Sequence, residues 1–354
     1  MHNGFAVAAT LLSAAVLVGA SEPVVIRLLR RLSALDVPTA RSSHTVPTPR
    51  GGGLPIAVAL VLAALLLGGQ AAVPFVIAVA GFGAIGLADD MRGLSAVGRL
   101  ALQAGVGTAA AVVLVGWAAR HGPLAQVGRL GLLGLPPAVR VLALAAVVTL
   151  ITTWLVGFVN AFNFMDGING ISAAHAAVGG AAYAVLGAWH HDVLLLGTGG
   201  AVAGCALAFL PWNAVRARVF LGDVGSYALG ASLAVLGVTA VLRGIPVEAA
   251  AAPTVLYLAD TGWTLQRRVR AGERWLEAHR THAYQRLCDA GWSHQQVTAA
   301  TALATGLLCL LGAVSLTGSP ALRLSADAAG AAVLVFYLRS PAMLGRGYPR
   351  PEAA

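Results

Sequence analysis

Eleven apolar runs, most of them close to 20 residues long, leave this chain few ways to fold. They fall at about residues 4–21, 53–69, 72–88, 97–117, 138–159, 171–189, 193–211, 226–242, 247–265, 297–317 and 324–338. A helix needs roughly 20 predominantly apolar residues to cross a bilayer, and only helices and closed barrels satisfy their backbone groups in hydrocarbon. No period-2 alternation favours a barrel. The expected fold is therefore an all-α polytopic membrane protein with about 10–11 transmembrane helices, forming one membrane domain over 1–338 with a short tail over 339–354. The first run lacks a basic leader and a small-residue cleavage site, so it reads as a helix and not a signal peptide. The last, which carries Asp327, is the weakest.

Composition agrees: 58% of residues are hydrophobic, 10% are charged, and the mean hydropathy is +0.79. Cys205, Cys288 and Cys309 show no metal-ligand spacing. The chain has no lysine, so arginine alone reports orientation. The segments after the first, third, seventh, ninth and eleventh runs hold 5, 2, 2, 6 and 3 of the 23 basic residues. That bias places them in the cytoplasm and the N-terminus outside. It also accounts for the net charge of +9 without a nucleic-acid partner, because the arginines are scattered and face anionic headgroups.

Polar motifs gather on the same predicted side. Asn160-Ala-Phe-Asn163-Phe-Met-Asp166-Gly-Ile-Asn169-Gly-Ile-Ser172 places amides, a carboxylate and glycines between two apolar runs, a composition suited to a hydrated cation or a phosphate. Asp89-Asp90 ends the third run, where two carboxylates oppose the helix dipole and repel each other unless a cation attends them. Arg92 is the nearby candidate. Phe220-Leu-Gly222-Asp223-Val-Gly225-Ser226 puts a carboxylate among glycines at a helix start, a geometry that admits phosphate. The loop after the ninth run carries His279-Arg280-x-His282-x-Tyr284-Gln285, a cluster of donors suited to phosphate. Asp36-x-Pro38-x-x-Arg41-Ser-Ser-His44-x-x-Pro47-x-Pro49-Arg50 is a second donor-rich loop. Asp260, inside the ninth run, costs roughly 2.5 to 3.5 kcal/mol on insertion scales unless paired; an arginine partner, or a place near the cytoplasmic end, is the expected account.

Taken together, these motifs resemble the polyprenyl-phosphate N-acetylhexosamine-1-phosphate transferases over roughly Asp36 to Arg286. The resemblance implies one transferase domain in the bacterial inner membrane, with a cytoplasmic active site. Its activity would be transfer of a sugar 1-phosphate from a UDP-sugar to undecaprenyl phosphate, with Mg²⁺ as cofactor, Mn²⁺ as the alternative ion, and a homodimer as a further expectation. It makes Asp89 and Asp90 the catalytic pair, with Asn163 and Asp223 as metal ligands. Asn169, Asn213 and Phe220 would contact uridine, Asp166 would share that wall, and Arg280, His282, His44 and Arg50 would hold the substrate.

Two departures bear on the sugar. Many relatives have Asp-Gly-x-Asp-Gly where this chain has Asp166-Gly-Ile-Asn169-Gly, and the His-Arg-x-His-Ala-Tyr-Gln loop resembles the branch that starts O antigen or other surface polysaccharides, often with N-acetylated 6-deoxyhexoses. A UDP-N-acetylglucosamine-specific or peptidoglycan-type member is the alternative within the family. A secondary transporter is the rival from another class. It predicts groups near the midplane and an internal repeat, neither of which is visible here.

Overall fold

A computed structural model describes residues 2–38, 46–121, 136–273 and 279–344. All eleven apolar runs become helices. In chain order these are α1 (His2–Arg31), α2 (Leu54–Leu67), α3 (Val73–Arg92), α4 (Ala96–His121), α5 (Pro137–Phe164), α6 (Ile171–Trp189), α7 (Val193–Asn213), α8 (Gly222–Leu242), α9 (Val247–Arg270), α11 (His294–Ala313) and α12 (Pro320–Leu344). Among the described residues a twelfth α-helix, the short α10 (Ala283–Asp289), lies in the loop between α9 and α11, and a hairpin of two-residue strands, β1 (Leu35–Asp36) with β2 (Thr48–Pro49), follows α1.

Among the described residues, nine helices are long and apolar enough to cross a membrane, which makes this a multi-pass membrane protein. Two of the eleven differ. At 14 residues, α2 spans about 21 Å, short of the roughly 30 Å hydrocarbon core. The 24-residue α9 is long enough but ends in Arg267, Arg268 and Arg270. The weakest run instead gives a 25-residue helix, continuing to Leu344 beyond the expected start of the tail. Large apolar side chains such as Leu66, Leu142, Leu150, Leu303, Leu310 and Leu324 point outward, as a lipid-facing surface requires.

The bundle is organised around α8, which packs against α2, α3, α5, α6, α7 and α9. Such enclosure needs small residues, because close backbone approach drives helix association in lipid. At Gly86 of α3, a Cβ would fall 2.2 Å from the Asp223 carbonyl oxygen, and at Gly53, just before α2, it would fall 2.1 Å from the Gly225 Cα. Three chain segments can therefore meet at the N-terminal end of α8, where Asp223 sits in the first turn.

Candidate active site

The C-terminal turn of α3 places its two carboxylates in different roles. Asp89 accepts a hydrogen bond from the Leu94 N–H at 2.7 Å and pairs with Arg99 Nη1 at 2.8 Å. Asp90 turns toward α8 and accepts the backbone N–H groups of Asp223 and Val224, each at 3.0 Å. A carboxylate in that position satisfies orphan donors and meets the positive end of the helix dipole. The like-charged pair is thus neutralised by Arg99 and Arg50 and not by the expected Arg92; Arg50 Nε lies 2.8 Å from Asp90 Oδ1.

Arg50 also reaches Asp223, with Nη2 2.8 Å from Oδ1. The main chain sets this reach: Arg50 forms a parallel bridge with Phe220, while Gly51 and Gly52 donate to the Phe220 carbonyl. Burial alone would lower the guanidinium pKa, but Asp223, Asp90 and Asp36 outweigh it and raise the pKa, so the group stays charged. From α5, the Asn163 side-chain nitrogen donates to Asp223 Oδ1 and to Ser226 Oγ, both at 2.9 Å. Asp89 lies within electrostatic reach of Asp223. Acids from two helices and an amide from a third therefore converge at one end of the bundle.

Beside them is a cavity of about 320 Å³ whose walls include Arg50, Asn163, Asp166, Asn169, Asn213, Phe220 and Asp223. Burial pushes the Asp166 carboxyl up to about 7. Asn169 is held through its main chain: its N–H donates to His294 Nδ1 at 3.4 Å and its carbonyl accepts from Thr298 Oγ1 at 2.9 Å. Asn213 lines the cavity but already uses both ends of its amide, accepting from Gly170 N at 2.6 Å and donating to the Val219 carbonyl at 3.0 Å. Its first task is to join two loops.

The donor set fits a hard divalent ion. Asn163 spends its amide nitrogen on Asp223 and Ser226, which leaves its carbonyl oxygen as the group to coordinate beside the Asp223 carboxylate. Among the described residues no three His, Cys, Asp or Glu side chains cluster as a metal site. One carboxylate beside one amide carbonyl oxygen is a donor set of the kind Mg²⁺ accepts, its shell then completed by water and substrate phosphate.

Two expected substrate contacts lie elsewhere. His282 is buried, 3% exposed, with Nδ1 3.2 Å from Asp260 Oδ1; Arg280 pairs with Asp289 at 3.2 Å. Neither lines the cavity. His279 has its pKa pushed down to about 4 by burial and by the neighbouring His282. The partner of Asp260 is correspondingly the imidazole of His282 and the Ala283 N–H, not an arginine. His44 and Arg41 lie outside the described residues. In their place, Asp36 and Gln285 line the cavity. Both sit inside motifs visible in the sequence, but nothing there singled them out.

A model of one family, glycosyl transferase family 4, matches residues 72–241. The decaprenyl-phosphate N-acetylglucosaminephosphotransferase of Mycobacterium leprae (strain TN) is 30% identical over 322 residues, covering 83% of this chain and 79% of that protein. The chain belongs to glycosyl transferase family 4. Its relatives in the family include the phospho-N-acetylmuramoyl-pentapeptide-transferase of Symbiobacterium thermophilum, 32% identical over 84% of this chain and 91% of that one. They also include a probable undecaprenyl-phosphate N-acetylglucosaminyl 1-phosphate transferase of Bacillus subtilis (strain 168), 27% identical over 77% and 75%. The family match runs from just before α3 to the last residues of α8, so it contains Asp89, Asp90, Asn163, Asp166, Asn169, Asn213, Phe220 and Asp223.

Proposed function

We propose that the protein transfers the 1-phosphate of an N-acetylated hexosamine from a UDP-sugar to a polyprenyl phosphate, releasing UMP. The observation that carries this reading is the meeting of Asp223, Asn163 and Arg50 at the mouth of a nucleotide-sized cavity, in a chain whose relatives bear the names of polyprenyl-phosphate sugar-phosphate transferases. An oxygen of the lipid phosphate attacks the sugar-bearing phosphorus of the UDP-sugar. A new P–O–P linkage forms, the bond from that phosphorus to the bridging oxygen breaks, and the electron pair leaves with UMP.

Both reactants are anionic, so positioning and charge neutralisation carry the catalysis. Asp223 and Asn163 would hold Mg²⁺, which would supply the charge that offsets the diphosphate and the departing UMP. Arg50 anchors the Asp223 carboxylate and lines the same cavity. The incoming phosphate monoester has a second pKa near ~6 and arrives largely dianionic at neutral pH, so no side chain need remove a proton. Asp89, already paired with Arg99, orients the acceptor, and Asp90 fixes the first turn of α8, which carries Asp223. Phe220 and Asn169 form the wall for uridine. The site faces the cytoplasm, as the arginine bias requires, in the bacterial inner membrane.

Relatives named for N-acetylglucosamine point to that sugar as donor. The variant last loop points instead to an N-acetylated 6-deoxyhexosamine and to the first step of a lipid-linked surface polysaccharide such as O antigen. One assay tests the class and the donor together: exchange of labelled UMP into a panel of UDP-sugars by purified protein with undecaprenyl phosphate and Mg²⁺. Exchange with one HexNAc donor names the sugar; exchange with none overturns the reading.

A further inference from the structure

The segment after α9 does not touch the cavity where the sequence pointed, yet it is bound to the site at several places. Asp260 of α9 is fully buried. Its oxygens accept from the Ala283 N–H at 3.0 and 3.1 Å, from Thr264 Oγ1 at 3.2 Å and from the imidazole of His282 at 3.2 Å. With a carboxylate opposite, the imidazole proton belongs on Nδ1. This arrangement fixes where α10 begins and which way it points.

Two consequences follow along α10. Tyr284, buried in the first turn, donates its hydroxyl to the Phe164 carbonyl at 3.0 Å. It also packs so closely on Gly167 that a Cβ there would fall 2.1 Å from the hydroxyl oxygen. The ring therefore props the end of α5, which carries Asn163, and the loop after it, which carries Asp166 and Asn169. Gln285 Oε1 accepts the His282 N–H at 3.2 Å as the return half of a capping box. Its carbonyl end is thereby used, and the side chain borders the cavity with the amide nitrogen as its remaining group, an uncharged donor of two hydrogen bonds.

We propose that Gln285 is a donor-recognition residue, aimed by Asp260 and His282, and that His282 is a positioning residue that does not touch substrate. Gln285 Nε2 donates to a neutral carbonyl or hydroxyl oxygen of the UDP-sugar, a contact that selects among sugars without adding charge. This assignment rests on the transferase reading above, and its tests separate from it.

The variants are chosen to divide cap from contact. Gln285→Glu keeps an oxygen for the His282 N–H, since Glu serves a capping box as well as Gln, but loses the donor. It should melt within about 2 °C of wild type while KM for the UDP-sugar rises about tenfold and KM for polyprenyl phosphate stays unchanged. His282→Asn presents an amide N–H near the place of Nδ1 and should retain wild-type KM. His282→Ala should raise donor KM about tenfold and speed amide hydrogen exchange over residues 163–170. The assignment is overturned if Gln285→Glu leaves donor KM unchanged, or if His282→Asn is as impaired as His282→Ala with the loss in kcat. The exchange measurement needs no substrate, so it stands even where wild-type protein shows no transferase activity, a result that would sink the transferase reading and not the positioning role of His282.

Discussion

Asp90, at the end of α3, accepts the backbone N–H of Asp223 at 3.0 Å across 133 residues of chain. The first turn of α8 is thus set in place by a carboxylate from another helix. Asp90→Ala should remove that cap and the Arg50 partner together. A cap of this kind contributes about 0.5–2 kcal/mol, so a fall of several degrees in melting temperature is expected, with loss of UMP exchange. Asp90→Asn, which keeps one acceptor, should fall in between on both measures. Equal melting of all three proteins would refute the capping role.

On the proposed transferase reading, Asp223 and Asn163 would offer the oxygens for the divalent ion. Asp223→Ala should lower exchange by about 100-fold or more, and Asn163→Ala should lower it less, by about tenfold, with a higher Mg²⁺ requirement. Titrating Mg²⁺ or Mn²⁺ against exchange rate checks this. Wild-type turnover after loss of Asp223 would exclude it from the chemistry.

Gly86 lets α3 and α8 touch. A methyl group there meets the Asp223 carbonyl oxygen at 2.2 Å, a backbone atom that cannot swing aside. Gly86→Ala should cost about 1–3 kcal/mol of stability and impair exchange by shifting Asp223. Gly105→Ala, where nothing lies within 4 Å of the added Cβ, is the control and should behave as wild type.

Asp166 gives stability a pH dependence whose sign is fixed. Its carboxyl is raised by burial from 3.8 to about 7, so between those values the folded chain keeps a proton that the unfolded chain has lost. This contribution is fully present below about pH 4 and is lost as pH rises through about 7. In Mg²⁺-free buffer the melting temperature should drop from pH 5 to pH 8, and Asp166→Asn should flatten that drop. Parallel slopes in the two proteins would show that another group is responsible.

The helices were legible because hydrophobic length is a local property, and each apolar run needed only itself to be recognised. The Asn160 to Ser172 stretch and the Gly222-Asp223 turn were legible for a related reason: carboxylates, amides and glycines between such runs are costly without a purpose. Long-range pairing was not legible. Asp89 finds Arg99 on the next helix, past the nearer Arg92. Asp260 finds His282 because α10 folds back on α9, which no periodicity reports. His282 looked like a phosphate donor beside Arg280, since sequence gives the chemistry of an imidazole but not the direction it faces. The short α2 and the arginine-tipped α9 also show that a run can be apolar without matching the thickness or polarity profile of a bilayer.

Helix α8 is walled in by six neighbours, and its first turn bears Asp223. An element so confined cannot drift without disturbing most of the molecule, so a substitution that shifts it should be felt at Asp223. The hairpin before α2 and the short α10 are bounded by fewer partners and border the same cavity from outside. On the proposed transferase reading, side-chain exchanges at those two rims should alter which sugar is accepted before they alter the phosphoryl chemistry.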